Sequence, residues 1–114
     1  MLNEKDLITI NKKFSNGHVV NESTLKYVAD YVRKSNNWIK SLAHLVRAIL
    51  IDHIFEDGNK RTAVAVIAYY FEEKNYNYNL DEINKITVKM LKNNTASIDE
   101  IERLLENAIK SSIK

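Results

Sequence analysis

The sequence of 114 residues contains no cysteine, no proline and only two glycines. The absence of cysteine excludes disulfides and thiolate metal sites. Glycine and proline punctuate β-rich folds, so their scarcity disfavours that class. No apolar run approaches the roughly 18 residues of a membrane span, and the N-terminus MLNEKDL lacks the pattern of a signal peptide. We therefore expect a cytoplasmic protein without a membrane segment.

An excess of either charge is also missing. The formal net charge is only +2. A charge this small is too weak a signal to predict a nucleic-acid partner, and we expect none. Hydrophobic residues make up 45% of the chain and charged residues 28%, as in ordinary globular proteins. A chain of this length builds a single hydrophobic core. We expect one domain over residues 1–114.

Apolar residues recur at helical spacing in six segments of the chain. The six stripes are Leu7, Ile10 and Phe14; Leu25, Val28, Ala29 and Val32; Ile39, Leu42, Ala43, Val46, Ile49 and Leu50; residues 63–71; Ile83, Ile86, Thr87 and Met90; and Ile101, Leu104, Leu105 and Ala108. Asn3 and Asp81 precede the first and fifth stripes as possible caps, and Ser97 with Glu100 has the spacing of a capping box before the sixth. The pattern predicts a compact all-α domain of six helices.

The fourth helix differs from the others, because residues 63–71 are apolar or aromatic on nearly every side. Such a helix is usually the buried central one. Lys60 and Arg61 stand at its start, where the positive end of the helix dipole disfavours a cation by roughly 0.3–1 kcal/mol. The free N–H groups of a first turn, preceded by Gly58 with no side chain, make an anion site. A bound polyphosphate would explain the two cations.

Two further residues in the same stretch carry chemistry. His53 is of the residue type that accepts a proton near neutral pH, and Asp57 offers a carboxylate that can hold Mg²⁺ against phosphate oxygens. Taken singly, each has a structural interpretation: His53 as a half-buried histidine and Asp57 as a helix N-cap. A base, a metal carboxylate and a phosphate-binding turn together are the requirements for transfer from a nucleotide to a hydroxyl.

The stretch HIFEDGNKR, residues 53–61, resembles the signature loop of the Fic/Doc family, His-x-Phe-x-Asp/Glu-Gly-Asn-Gly/Lys-Arg. The resemblance implies that His53 is the catalytic base, which deprotonates a hydroxyl of a target protein so that the oxygen attacks a phosphate of ATP. It also implies that Asp57 is the Mg²⁺ ligand and that Phe55 anchors the loop in the core. The phosphate- and ATP-binding residues would be the four of the turn, Gly58, Asn59, Lys60 and Arg61.

Three positions resemble the Doc branch of small death-on-curing toxins. AMP-transferring members mostly have glycine in place of Lys60 and a second arginine in place of Val64, and proline is common in place of Ile54. The Doc branch moves the γ-phosphate of ATP, so the resemblance implies γ-phosphate transfer to a Ser, Thr or Tyr hydroxyl of a target protein, with the translation machinery one candidate. AMP transfer is the nearest alternative.

We also expect the activity of this chain to be inhibited by a separate protein. Many Fic proteins carry an inhibitory motif, Ser/Thr-x-x-x-Glu-Gly/Asn. Here Glu102 stands four residues before the pair Glu106-Asn107, in the place of the serine or threonine. The sequence therefore favours a toxin whose inhibition comes from an antitoxin on another chain.

Two other classes of function are alternatives. Arg47 and His53 have the Arg-x5-His spacing of HEPN ribonucleases, but on one straight helix they would lie about 240° apart, so this alternative needs a helix break near His53. A binding-only protein with a degenerate site is disfavoured because His53 and Asp57 are both intact. His44 is expected to be a core-edge histidine, and the tyrosines Tyr69, Tyr70, Tyr76 and Tyr78 to be packing and rim residues.

Overall fold

The computed structural model of the protein describes residues 2–112, with side chains described as far as Ile109. The chain forms six helices joined by short loops: α1 Glu4–Asn11, α2 Glu22–Lys34, α3 Trp38–Leu50, α4 Asn59–Glu73, α5 Leu80–Lys92 and α6 Ile98–Ser112. Residues 2–112 contain no β-strand, and one isolated antiparallel bridge joins Val19 to Phe55. The predicted all-α fold of six helices is confirmed. No helix in this range is long and apolar enough to cross a membrane.

Helices α3 and α4 form the centre of the globule. Helix α3 packs against α2, α4 and α6, while α4 also packs against α1 and α5. Each of the six helices contributes to one cluster of buried hydrophobic side chains, which includes the fully buried Leu42 and Ile67. Helix α4 is buried on its side toward α3 but leaves Arg61 and Tyr69 exposed. The start of α4 is therefore held by the core, while its outer edge faces solvent.

Asparagine provides the N-cap of four helices. The four caps are Asn3, Asn21, Asn37 and Asn79. In each case the side-chain oxygen accepts a hydrogen bond from a backbone N–H of the first turn, which satisfies a donor without an intrahelical partner. The predicted Asn3 cap is confirmed, and it forms a full capping box with Asp6.

The two other predicted caps differ in outcome. The cap of α5 is Asn79 and not Asp81, whose backbone N–H donates to the Asn79 side chain, so the Asp81 prediction was wrong. Ser97 does precede α6, and its hydroxyl accepts a hydrogen bond from the Glu100 backbone N–H at 3.3 Å. Asparagine at position 79 reaches the first turn from a position earlier in the chain than the sequence pattern suggested.

The first predicted stripe of apolar residues, which ran to Phe14, extends beyond the end of helix α1. Helix α1 ends at Asn11, so Phe14 lies beyond it and is 37% exposed. The backbone N–H groups of Phe14 and Ser15 both donate to the carbonyl of Asn11, which turns the chain away from the helix axis. Gly17, with a φ of 75°, continues this turn in the left-handed region that favours glycine.

The predicted structural roles of His44 and the tyrosines are confirmed. His44 is half-buried, and its ring stacks on Tyr31 with 3.9 Å between the ring centroids. Burial, with the cations of Arg47 and Lys40, lowers the pKa of His44. Tyr70 is buried, which raises its pKa to about 12, while the neighbouring Tyr69 lies at the rim.

Candidate functional site

The loop between α3 and α4 is fixed to the core by two adjacent side chains. Ile54 and Phe55 are fully buried, although they lie outside any helix. The carbonyl of Ile54 accepts a hydrogen bond from the Val20 backbone N–H at 2.8 Å, and the Glu56 N–H donates to the carbonyl of His18 at 2.9 Å. The loop is thus held from the core side by its own side chains and from the other side by the α1–α2 connection.

Asn59 closes this loop with its own side chain. Its Nδ2 donates to the carbonyl of Phe55 at 2.8 Å, and its Oδ1 accepts from the Phe55 N–H at 3.2 Å. The amide is therefore engaged with the backbone of Phe55 on both sides. The sequence placed Asn59 among the phosphate-binding residues, and in the structure the part of Asn59 that faces no partner is its backbone N–H.

The start of α4 has unsatisfied donors. Gly58 is the N-cap, with a φ of 76°, and no side chain caps the helix. The first backbone N–H with a partner is that of Thr62, which donates to the Gly58 carbonyl at 2.9 Å. Between residues 2 and 112 no acceptor contacts the N–H groups of Asn59, Lys60 and Arg61. The interpretation of Asp57 as the N-cap was wrong, because the chain turns at Gly58 instead.

The two cations of the turn are open to solvent. The side chains of Lys60 and Arg61 are exposed, and neither forms an ion pair within the described part of the chain. Their charges add to the positive end of the α4 dipole, and neither cation is paired with a carboxylate of residues 2–109. A helix start with free N–H groups and two unpaired cations is an anion-binding surface.

Asp57 stands directly before this turn, with its carboxylate exposed. Its Oδ2 lies 3.5 Å from the hydroxyl of Ser15, and its backbone carbonyl accepts a hydrogen bond from Asn11 at 2.9 Å. Residues 2–112 contain no group of three or more His, Cys, Asp or Glu side chains that could hold a metal alone. Mg²⁺ bound with a nucleotide needs only one or two carboxylates and the phosphate oxygens, and Asp57 beside the anion-binding surface fits that requirement.

His53 occupies a strained position in the same loop. Its φ is 52°, in the left-handed region, which costs a residue with a Cβ on the order of 1–3 kcal/mol. The side chain is exposed, and its ring makes no hydrogen bond or ion pair with any other described residue. The imidazole is therefore free to act on a ligand, while its backbone is fixed by the buried Ile54 that follows it.

Two buried polar residues that the sequence analysis did not identify support the loop from the core side. Asn11 and Thr62 are both fully buried, and the Asn11 Nδ2 donates to the Thr62 hydroxyl at 3.0 Å. The Thr62 hydroxyl donates in turn to the Gly58 carbonyl at 2.8 Å. A signal for Asn11 was present in the sequence: it follows Leu7 by four residues and so lies on the buried face of α1.

A separate cavity of about 270 Å³ lies at the other end of α4. It is lined by aromatic and polar side chains from α2, α3 and α4, including Trp38, Ser41, Tyr69 and Tyr70. None of the loop residues from His53 to Arg61 contributes to its lining. The candidate site is thus distinct from this cavity and lies on the surface where α4 begins.

These features define an all-α protein whose α3–α4 loop presents a free histidine beside an anion-binding helix start. The comparison with known families is more specific, because residues 20–71 match the model of the Fic/DOC family. This segment runs from the residue after Val19 to Phe71 in α4, and the match confirms the resemblance of the signature loop. The match implies a Fic/Doc-type nucleotidyl- or phosphotransferase, and the family, typically of enzymatic transferases, generally uses ATP. No curated protein and no solved structure matches the chain.

The structure removes one objection to the ribonuclease alternative. Helix α3 ends at Leu50, so Arg47 and His53 do not lie on one straight helix, and the angular argument against their pairing does not apply. Both residues, however, fall inside the segment that matches the Fic/DOC family. The match, and not helix geometry, is the reason to disfavour the nuclease.

Proposed function

We propose that the protein is a Doc-like transferase that moves the γ-phosphate of ATP to a Ser, Thr or Tyr hydroxyl of a target protein. The observation that carries the proposal is the unsatisfied first turn of α4, which follows the free His53 within the segment matched to the Fic/DOC family. Both features are costly in an isolated protein, since one concentrates positive charge and the other strains the backbone.

The turn binds the phosphates of ATP. The backbone N–H groups of Asn59, Lys60 and Arg61 donate to phosphate oxygens, and the Arg61 guanidinium adds a two-pronged donor. Mg²⁺, when bound through the Asp57 carboxylate, neutralises charge on the phosphate oxygens and so lowers the barrier to attack. Gly58 permits the turn itself, because its φ of 76° favours glycine and a Cβ there would lie only 3.1 Å from the Cβ of Ser15 and 3.2 Å from Nδ2 of Asn11.

His53 provides the proton acceptor. A ring nitrogen takes the proton of the target hydroxyl as its oxygen attacks the γ-phosphorus, so that an oxygen–phosphorus bond forms on the target. The bond between the γ-phosphorus and the bridging oxygen to the β-phosphate breaks, and ADP leaves. The attacking oxygen must come within about 3–3.5 Å and in line, which the fixed backbone of the loop favours.

Lys60 sets which phosphate lies nearest His53. Its side chain is exposed, and beside bound phosphates it would take up space that a glycine would leave to the β- and γ-phosphates. ATP then binds with its γ-phosphate toward His53 and not with its α-phosphate there. Val64, half-buried against the core, offers no second guanidinium to hold the opposite orientation.

ATP labelled separately at the α and γ positions tests this function. The pure protein, Mg²⁺ and a cell lysate should yield a target protein that carries the γ label alone, and the His53→Ala variant should yield none. Transfer of the α label instead would establish AMP transfer and refute the Doc-like assignment, while His53 as base would stand. Absence of transfer of either label, with ATP binding also absent, would overturn the proposal as a whole.

An active enzyme of this kind would harm its own cell, and we propose that a separate antitoxin controls it. Expression of the chain alone should slow growth, and a co-expressed small partner or the His53→Ala substitution should relieve the effect. Growth curves with induced wild-type and His53→Ala protein at equal levels measure this. Unimpaired growth with transferase activity confirmed in the same cells would count against the toxin assignment alone.

A further inference from the structure

The side chain of Asn11 forms more hydrogen bonds than a residue at the end of a short helix needs. It is fully buried, and its side chain makes three hydrogen bonds to residues far along the chain or beyond the helix. Nδ2 donates to the Asp57 carbonyl at 2.9 Å and to the Thr62 hydroxyl at 3.0 Å, while Oδ1 accepts from the Gly17 N–H at 2.9 Å. Both amide hydrogens and one oxygen lone pair are therefore in use.

The hydrogen-bond partners of Asn11 permit only one orientation of its side-chain amide. The Gly17 N–H can only donate and the Asp57 carbonyl can only accept, so a flipped Asn11 would set two donors against each other and two acceptors against each other. A buried polar group without partners costs about 1–3 kcal/mol, which keeps the amide in this orientation. Asn11 thus fixes the backbone of the loop at Asp57 and the helix start at Thr62 at the same time.

We infer that Asn11 is a positioning residue for the phosphate-binding turn, an inference that rests on the proposed function. By holding the Asp57 carbonyl inward, Asn11 directs the exposed Asp57 carboxylate outward beside the turn. Through Thr62, whose hydroxyl donates to the Gly58 carbonyl, it also fixes the direction of the free N–H groups of Asn59, Lys60 and Arg61. The turn is therefore preset before a ligand arrives.

Neighbouring contacts agree with this role. Two residues of the α1–α2 connection also contact the loop: Ser15 lies 3.5 Å from the Asp57 carboxylate, and Asn16 donates to Glu56 at 3.3 Å. These two contacts are exposed, whereas the hydrogen bond from Asn11 to the Asp57 carbonyl is part-buried and the one to the Thr62 hydroxyl is buried. Asn11 also lies outside residues 20–71, so the family match does not include it.

Two threonines give a matched pair for the test. Thr62 and Thr87 are both fully buried, and each hydroxyl donates to a backbone carbonyl at 2.8 Å, that of Gly58 and that of Asn84. Only the Thr62 hydroxyl accepts from Asn11. Thr62→Val and Thr87→Val therefore remove the same group from equally buried sites, and the difference between the two variants reports on the turn.

Three measurements are made on each variant: thermal stability, the amide NMR shifts of residues 59–61 without ligand, and ATP affinity with Mg²⁺ by calorimetry. We expect both variants to lose stability, Thr62→Val more than Thr87→Val, because it also leaves a buried Nδ2 hydrogen of Asn11 without an acceptor. Only Thr62→Val should move the amide signals of the turn and weaken ATP binding, by about fivefold to tenfold. Amide signals and ATP affinity that are no more changed in Thr62→Val than in Thr87→Val would overturn the inference.

A double-mutant cycle assigns the effect to Asn11. If Asn11 acts through Thr62, the combined Asn11→Ala and Thr62→Val protein should bind ATP about as weakly as the weaker single variant. Losses that multiply would refute the route through Thr62. If Asn11→Ala fails to fold, the threonine pair decides the question. Wild-type protein that binds no ATP would refute the proposed function, and the ligand-free amide signals would still decide whether the turn is positioned from Asn11 and Thr62.

Discussion

Because the backbone of His53 is left-handed, His53→Ala and His53→Gly should differ in stability, although both remove the imidazole. Alanine keeps a Cβ and so keeps the strain of a φ of 52°, about 1–2 kcal/mol, whereas glycine relieves it. Glycine also makes the unfolded chain more flexible, which costs about 0.5–1 kcal/mol. The net expectation is that His53→Gly is more stable than His53→Ala by about 1 kcal/mol, a difference in Tm of roughly 3–6 °C for a chain of this size.

Both variants should be inactive, because each lacks the base, which contributes roughly 10²- to 10⁴-fold to rate. Thermal unfolding measures the stability difference, and ATP calorimetry should show binding close to that of the wild type in both. The same substitutions at Lys26, exposed in α2, provide the control with opposite sign: there glycine should be less stable than alanine by about 1 kcal/mol. A His53→Gly variant no more stable than His53→Ala would show that the loop does not hold this residue in the left-handed region, and the argument for a preset base would fail.

The remaining predictions concern other groups of the chain. Asp57→Asn or chelation of Mg²⁺ should stop γ-phosphate transfer from labelled ATP; RNA cleavage that survives chelation and disappears in Arg47→Ala would favour the nuclease instead. Lys60→Gly should lower γ transfer and allow some AMP transfer, seen as α label on the target; an unchanged label pattern would refute its role in orientation. Because burial, Arg47 and Lys40 lower the pKa of His44, the unfolded chain binds more protons at this position, so stability should fall as the pH drops below about 6.5. Urea unfolding at pH 7.5 and 5.5 should show this loss, and it should be smaller in His44→Gln; an equal loss in that variant would exclude His44 as the cause.

Helical periodicity was sufficient to predict the six elements, because each stripe of apolar residues corresponds to a buried helix face. The error at Phe14 arose where that signal is ambiguous: an apolar residue at the right spacing continued the pattern, although the chain had already turned at Asn11. Spacing indicates which face is apolar but not where the backbone leaves the helix. The prediction of a single domain over residues 1–114 stays a prediction.

The candidate site was predictable only in its local part. Residues 53–61 are contiguous, so the amino-acid sequence alone shows the base, the carboxylate and the cations side by side. The support from Asn11 spans 46 positions to Asp57, and no local pattern pairs those two residues. The left-handed φ of His53 was also hidden, because a histidine in that region is held there by the surrounding contacts and not by its own preference.

Five asparagines of this chain form two groups by the direction of their side-chain hydrogen bonds. At the helix caps Asn3, Asn21 and Asn37 the contact to the first turn uses the side-chain oxygen as acceptor, a role that an aspartate oxygen fills equally well. Asn11 and Asn59 must also donate, through Nδ2, to backbone carbonyls. Replacement of the side-chain amide by a carboxylate, as in Asn→Asp, would therefore keep the cap contacts. The same replacement at Asn11 or Asn59 would place a carboxylate against a backbone carbonyl, and the loop that carries His53 would lose a hydrogen bond that supports it.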